Sequence, residues 1–92
     1  MAAPPIVPIE LWNVGTAVLD KNEIREIIPQ RFEMEHLDGI SFIDTDEGLV
    51  AGWKDVRDDE FWVRGHLPGR PLLPGVVMLE ALAQLTSIAA SR

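Results

Sequence analysis

The chain has 92 residues, of which 47% are apolar, and it carries a net charge of −7. This composition indicates one small globular domain and argues against general binding to a nucleic-acid backbone. The lack of Cys excludes a disulfide framework, a thiolate nucleophile and a thiolate zinc site, and with no signal-peptide pattern or long apolar run we expect a cytoplasmic protein.

The first third of the sequence predicts an arm followed by a short helix. We expect residues 1–20 to form an extended N-terminal arm, because three prolines disfavour a helix or a central strand: Pro4, Pro5 and Pro8. Asp20 and Glu23 have the spacing of a capping box, and three isoleucines then fall on one helical face: Ile24, Ile27 and Ile28. The pattern predicts an amphipathic helix at about 21–28, ended by Pro29.

The middle of the chain predicts a β-hairpin and then a stiff loop. Ile40 and Phe42 alternate within 37–44, the segment 44–48 has turn chemistry, and a second alternating run follows from residue 49. The density of Pro and Gly between Gly65 and Gly75 predicts an irregular loop.

The last segment predicts a helix from Gly75 to residue 90 that is apolar almost all round. Such a helix must be buried on every side, and two or three short strands cannot wrap it. We therefore expect its remaining cover to come from other chains or from residues outside this sequence.

Residues 61–84 carry the most specific pattern in the chain. They include three motifs, namely Gly65-His66-Leu67-Pro68, Pro74-Gly75-Val76 and Glu80-Ala81-Leu82-Ala83-Gln84. This segment closely resembles the signature of FabZ-type (3R)-hydroxyacyl-acyl carrier protein dehydratases, which has Gly-His-Phe-Pro, a Pro-rich loop, Pro-Gly-Val and Glu-Ala-x-Ala-Gln. The 14-residue separation of His66 and Glu80 matches the family, and Leu67 replaces the family's Phe.

A weaker likeness lies upstream. The stretch from Ile27 to Asp38 resembles the family's Leu-Pro-His-Arg-Tyr-Pro-Phe-Leu-Leu-Val-Asp, with Gln30 in place of His and Glu33 in place of Pro. The resemblance covers roughly residues 23–90, so 21–92 would be the first part of a hot-dog dehydratase domain.

The resemblance implies an α+β hot-dog fold in which an antiparallel sheet wraps the long helix. It also implies a homodimer or higher oligomer, with His66 of one subunit facing Glu80 of the other. The expected reaction converts a (3R)-3-hydroxyacyl chain on acyl carrier protein to a trans-2-enoyl thioester in fatty acid biosynthesis. No cofactor and no metal is implied, and neither nucleic acid nor a membrane is expected as a partner.

The chemistry of the residues agrees with this reaction. Elimination of water β to a thioester needs a base, an acid and donors for the enolate oxygen. His66 suits the base, since an imidazole titrates near neutrality. Glu80 suits the acid, because an apolar helix favours a neutral carboxyl. Gly75 could bind the thioester oxygen through an unpaired N–H, or could be only a cap glycine.

Other polar residues near the motif have open interpretations. Arg64 and Arg70 flank His66, and they are either solvated charges or contacts for the phosphate of the carrier's pantetheine arm. His36 has no motif around it and is interpreted as a solvated residue at a strand edge.

Two alternatives to the dehydratase remain. One is another hot-dog thioester enzyme, such as a thioesterase or an enoyl hydratase. The other is a truncated, non-catalytic subunit or assembly piece, because the family's remaining strands follow the helix.

Overall fold

The computed structural model describes residues 4–91. Two α-helices and one two-stranded sheet organise this part of the chain: α1 at Lys21–Ile27, β1 at Gly39–Asp44, β2 at Leu49–Trp53 and α2 at Gly75–Ala90. The predicted short helix, hairpin and C-terminal helix are all confirmed. No helix within residues 4–91 is long and apolar enough to cross a membrane.

The N-terminal arm differs from the predicted extended segment. A 3-10 helix interrupts it at Ile9–Leu11, and the Trp12 indole N–H donates to the Val7 carbonyl at 2.8 Å, folding the arm onto itself. Further along, Leu19 forms a bridge with Ile40 of β1. The arm is therefore tied to the outer edge of the hairpin. Residues 1–3 of the predicted arm lie outside the described residues.

The capping box of α1 has the predicted geometry. The Glu23 amide donates to the Asp20 carboxylate at 2.9 Å, and the Asp20 amide donates to the Glu23 carboxylate at 3.2 Å. Ile24 and Ile28 are buried, so the apolar face of this short helix points into the protein.

The hairpin is antiparallel, but a β-bulge changes its predicted faces. Ile40 pairs with Gly52 and Phe42 pairs with Ala51, which leaves Ser41 as the extra residue. Since successive residues of β2 point to opposite faces, Ile40 and Phe42 do too. The predicted strand is confirmed, but Ile40 and Phe42 do not share a face, and Ile43 packs against the core instead of Phe42.

The core lies where the arm, α1, β1 and α2 meet. Its buried side chains come from the arm, α1, the segment before β1, β1 and α2: Leu19, Ile24, Ile28, Leu37, Ile40 and Ile88. The sheet covers only one side of α2, and several apolar helix residues remain exposed, namely Val76, Met78, Leu79 and Leu82. The helix is thus packed on one side, and within residues 4–91 no sheet wraps around it.

Candidate active site

His66 lies at the base of a miniature hairpin. Leu67 and Arg70 exchange backbone hydrogen bonds of 3.1 and 2.9 Å across Pro68-Gly69, and the Leu72 amide donates to the His66 carbonyl at 2.7 Å. Pro at the second position and Gly69 at the third, with φ +76°, fit a type II turn. The Pro/Gly-rich loop therefore has a defined shape that fixes the backbone of His66.

The side chain of His66 is held in one tautomer. Its Nδ1 lies 3.0 Å from the Leu72 carbonyl oxygen. A carbonyl can only accept, so in the neutral imidazole Nδ1 carries the proton and Nε2 keeps its lone pair. The imidazole is exposed, and its free nitrogen is therefore available as a general base.

Glu80 lies on α2 and is held by two amide side chains. Gln84 Nε2 donates to Glu80 Oε1 at 3.2 Å, and Gln30 Nε2 donates to the same oxygen at 3.5 Å. Among the hydrogen bonds of residues 4–91, none engages Oε2, so this oxygen is the one free to carry a transferable proton. The carboxyl is half-buried among polar groups, and the expectation of a purely apolar environment for it is wrong.

Gln84 is a site residue to which the sequence analysis gave no role. It is 1% exposed. Its Nε2 also donates to the Met34 carbonyl at 2.8 Å, and its Oε1 accepts from the His36 amide at 3.2 Å. The i, i+4 spacing of Glu80 and Gln84 on one helix face is the signal that could have identified this pair.

His36 is buried, which contradicts its interpretation as a solvated residue. It is 2% exposed, its ring centroid lies 6.4 Å from that of Phe61, and Nδ1 has no hydrogen-bond partner within residues 4–91. Burial lowers the pKa of His36, the positive charge of Lys54 lowers it further, and Glu80 and Glu60 act in the opposite direction. His36 is therefore a neutral buried imidazole close enough to Glu80 to sense its charge.

Gly75 opens α2 directly after Pro74. Val77 and Met78 both donate to the Pro74 carbonyl, while the amides of Gly75 and Val76 have no acceptor within residues 4–91. A Cβ at Gly75 would meet no atom within 4 Å. The space beside the Gly75 Cα is thus open, and the first amide of the helix has no acceptor within residues 4–91.

Within residues 4–91, no hydrogen bond or ion pair joins any two of the predicted site residues. His66 and Glu80 form no ion pair within the described residues, whose four ion pairs are Lys21–Asp38, Arg25–Glu35, Lys54–Glu60 and Arg57–Asp38. Arg64 and Arg70 are exposed and belong to none of these pairs. The roles assigned to His66, Glu80, Gly75, Arg64 and Arg70 stay predictions.

Comparison of the sequence with known proteins identifies its family. The sequence pattern of the FabA-like domain matches residues 28–92, which include His66, Gly75, Glu80 and Gln84. The chain belongs to the FabA-like domain family. Its α+β architecture, an antiparallel hairpin with a C-terminal helix, is consistent with this hot-dog family.

Individual proteins similar to this chain have names more specific than that of the family. The chain is 41% identical over 71 residues to the 3-hydroxyacyl-[acyl-carrier-protein] dehydratase FabZ of Clostridium botulinum strain Hall, covering 77% of the chain and 49% of the relative. It is 40% identical over 73 residues to the FabZ of Clostridium beijerinckii, covering 78% of the chain and 51% of the relative. The chain thus spans about half the length of the curated relatives it matches.

Proposed function

We propose that this protein removes water from a (3R)-3-hydroxyacyl group on acyl carrier protein, giving the trans-2-enoyl thioester. The observation that carries the proposal is the hydrogen bond from His66 Nδ1 to the Leu72 carbonyl, 3.0 Å long. This bond leaves His66 Nε2 available as a base. Glu80, 14 residues later in the sequence, has one carboxyl oxygen without a hydrogen bond within residues 4–91. The 41% identity to a protein named for this dehydration supports the choice of substrate.

The proposed reaction uses three groups. His66 Nε2 removes the α-proton, and the electron pair moves toward the thioester carbonyl. The free amide at Gly75, helped by the dipole of the 16-residue helix α2, stabilises the developing enolate oxygen. Glu80 Oε2 donates its proton to the β-hydroxyl, and the C–O bond breaks to release water as the double bond forms.

Assembly completes the proposed site. We infer that at least two subunits combine, with His66 of one facing Glu80 of the other, as the resemblance to the dehydratase family implies; the exposed apolar residues Val76, Leu79 and Leu82 of α2 offer a surface for the second subunit. An apolar groove of about 260 Å³ lies between β2 and α2 and is lined in part by Trp53, Met78, Leu82 and Leu85. Further sheet strands beyond β2 would fill it and wrap the helix, as a complete hot-dog domain requires.

Arg64 and Arg70 are proposed to contact the phosphate of the pantetheine arm. Both are exposed on either side of His66 and lack an ion pair within residues 4–91. Arg64→Ala and Arg70→Ala should raise KM for a carrier-bound substrate and leave KM for an N-acetylcysteamine thioester, which has no phosphate, unchanged. An equal rise for both substrates would contradict a phosphate contact.

The central test is turnover of a 3-hydroxyacyl thioester by the purified assembly. His66→Ala and Glu80→Gln should each lower turnover by on the order of 10²–10⁴ with the fold intact, since each removes one proton-transfer group. Unchanged turnover in His66→Ala would contradict this site. An unaltered protein that folds and assembles yet lacks turnover would instead indicate a non-catalytic subunit.

A further inference from the structure

Two side-chain amides meet the same oxygen of Glu80. Gln84 Nε2 lies 3.2 Å from Glu80 Oε1, and Gln30 Nε2 lies 3.5 Å from it. A neutral carboxyl accepts hydrogen bonds best at its carbonyl oxygen, so two donors at Oε1 make Oε1 the carbonyl and leave the hydroxyl at Oε2. The arrangement therefore suits the protonated carboxyl that the proposed acid step needs.

The two amides differ in the other contacts that they make. Gln84 is 1% exposed and also bonds to the Met34 carbonyl and the His36 amide, so it belongs to the packing of the core. The side chain of Gln30 makes one hydrogen bond within residues 4–91, and this bond goes to Glu80. The contact with Glu80 is therefore the only polar contact that the described structure gives to the Gln30 side chain.

Gln30 is an unfavourable residue for stability at this position. Its Oε1 is buried and has no hydrogen-bond partner within residues 4–91. A buried acceptor without a donor destabilises a protein, and an apolar side chain of similar length would avoid that penalty. Residues that lower stability in this way are expected mainly at functional sites. The one partner of this side chain, Glu80, indicates which site is concerned.

The backbone that carries Gln30 is held by Arg31. The Arg31 guanidinium donates to the carbonyls of Gln30 and Ile28, each at 2.8 Å, and to the carbonyl of Arg25 at 2.7 Å. These bonds satisfy carbonyl groups at the C-terminal end of α1 that have no partner within the helix. The Gln30 side chain therefore reaches Glu80 from a fixed backbone.

The sequence departs from the dehydratase motif at this residue. The chain has Gln30 where Leu-Pro-His-Arg-Tyr-Pro has His. An imidazole gains and loses a proton near neutrality, whereas a carboxamide keeps the same N–H donors at any ordinary pH. In this chain, the donor that faces Glu80 therefore does not itself titrate.

We propose that Gln30 is a positioning residue for Glu80: its carboxamide, together with that of Gln84, holds Oε1 and so keeps the transferable proton of the acid on Oε2. This inference rests on the proposed dehydration. It assigns to Gln30 no contact with the substrate, and the α-proton still goes to His66.

The first test compares activity with stability in the assembled protein. Gln30→Met replaces the amide with an unbranched apolar side chain of similar length. It should lower kcat for a 3-hydroxyacyl thioester about threefold to tenfold, as expected for one lost hydrogen bond, and leave KM within about twofold. The melting temperature should stay the same or rise, because a buried unpaired oxygen is removed. A fall in both kcat and melting temperature, or an unchanged kcat, would overturn the proposal.

The second test repeats the substitution in Glu80→Gln, which has no acid to position. Gln30→Met should then lower the residual kcat less than about twofold, because the two residues act through one step. An equal fractional loss in both backgrounds would show a role unrelated to Glu80 and overturn the proposal. Ser41→Ala is the matched control, since it breaks a bond of the same length, 3.5 Å, to the Ala51 carbonyl. It should leave kcat unchanged in both backgrounds.

A measurement without turnover separates this inference from the proposed function. In NMR spectra, the side-chain N–H signals of Gln30 should shift in Glu80→Gln and stay in place in Ser41→Ala. Turnover without such a shift would overturn this inference alone. A shift in a protein that assembles but has no turnover would instead overturn the proposed dehydration.

Discussion

At the scale of single residues, the orientation of His66 depends on the turn beside it. Gly69 has φ +76°, a conformation that L side chains adopt only with strain. Gly69→Ala should destabilise the protein by about 1–2 kcal/mol and also lower kcat, because the turn sets the geometry of His66 and Leu72. Turnover and thermal unfolding are the measurements.

Gly48→Ala is the matched control for Gly69→Ala. Gly48 also has positive φ, +68°, and also meets no atom within 4 Å at its Cβ position, but it lies in the hairpin turn. It should reproduce the loss of stability without the loss of kcat. Equal kcat losses in the two variants would contradict a specific role for the turn at residues 67–70.

Glu35 gives the protein a defined sensitivity to acid. Hydrogen bonds from Arg25 hold the pKa of Glu35 below its ordinary value of 4.5. A carboxyl with a depressed native pKa contributes stability that is present above its ordinary value and is lost as pH falls through the native one. We therefore expect the melting temperature to fall as pH decreases below about 4.5, and this fall to be smaller in Glu35→Gln.

The control for this effect is Glu33→Gln. Glu33 is exposed and forms no ion pair within residues 4–91, so its removal should leave the acid-induced fall in melting temperature unchanged. If Glu35→Gln and Glu33→Gln lose stability in parallel over this pH range, the Arg25–Glu35 pair does not stabilise the segment that carries His36.

Individual residues also show where prediction from sequence stops. His66 and Glu80 could be proposed because their types and spacing form a specific pattern. His36 could not, because its burial comes from the packing of residues 34–36 between α1 and α2, which are distant in sequence. The anchoring of Glu80 was missed for the same reason: Gln84 meets Met34 and His36 across about 50 residues of chain.

At the scale of elements, the hairpin and α2 meet at a glycine. A Cβ on Gly52 would lie 2.9 Å from the Gly39 carbonyl, 2.9 Å from Ile40 Cδ1 and 3.1 Å from Leu85 Cδ1. Gly52→Ala should therefore cost about 1–3 kcal/mol of stability by overpacking, measured by denaturant unfolding. Gly65→Ala, where a Cβ meets nothing within 4 Å, should change stability by less than about 0.5 kcal/mol.

The helices and strands could be predicted from the sequence, but the side of the sheet on which each β1 side chain lies could not. Local signals such as the Asp20–Glu23 capping box and the apolar run after Pro74 fix α1 and α2, and alternation with a turn fixes the hairpin. A bulge at Ser41 inserts one residue into β1, which moves Ile43 to the core side of the sheet. Periodicity cannot reveal such an insertion, because it depends on the pairing with β2.

At the scale of the whole molecule, the main unfavourable feature is the apolar face that α2 exposes to solvent. Val76 is 74% exposed, Leu79 67% and Leu82 58%, although burying such a side chain contributes roughly 1.5–3 kcal/mol. Contiguous apolar surface of this kind marks an interface or an absent layer of structure. We expect that the 92-residue chain alone is not a stable monomer.

Sedimentation over a range of low protein concentrations tests this expectation. A substitution at Leu82 tests whether a second chain buries the exposed face of α2. If Leu82 is covered by a second chain, Leu82→Gln should weaken the assembly and lower its stability by roughly 1.5–3 kcal/mol. If Leu82 stays exposed, the same substitution should change the free energy of unfolding by less than about 0.5 kcal/mol, as at other surface sites. A folded, cooperatively unfolding monomer that tolerates Leu82→Gln would show that the hairpin, the arm and α1 suffice for this helix, and the requirement for further strands or a second subunit would be wrong.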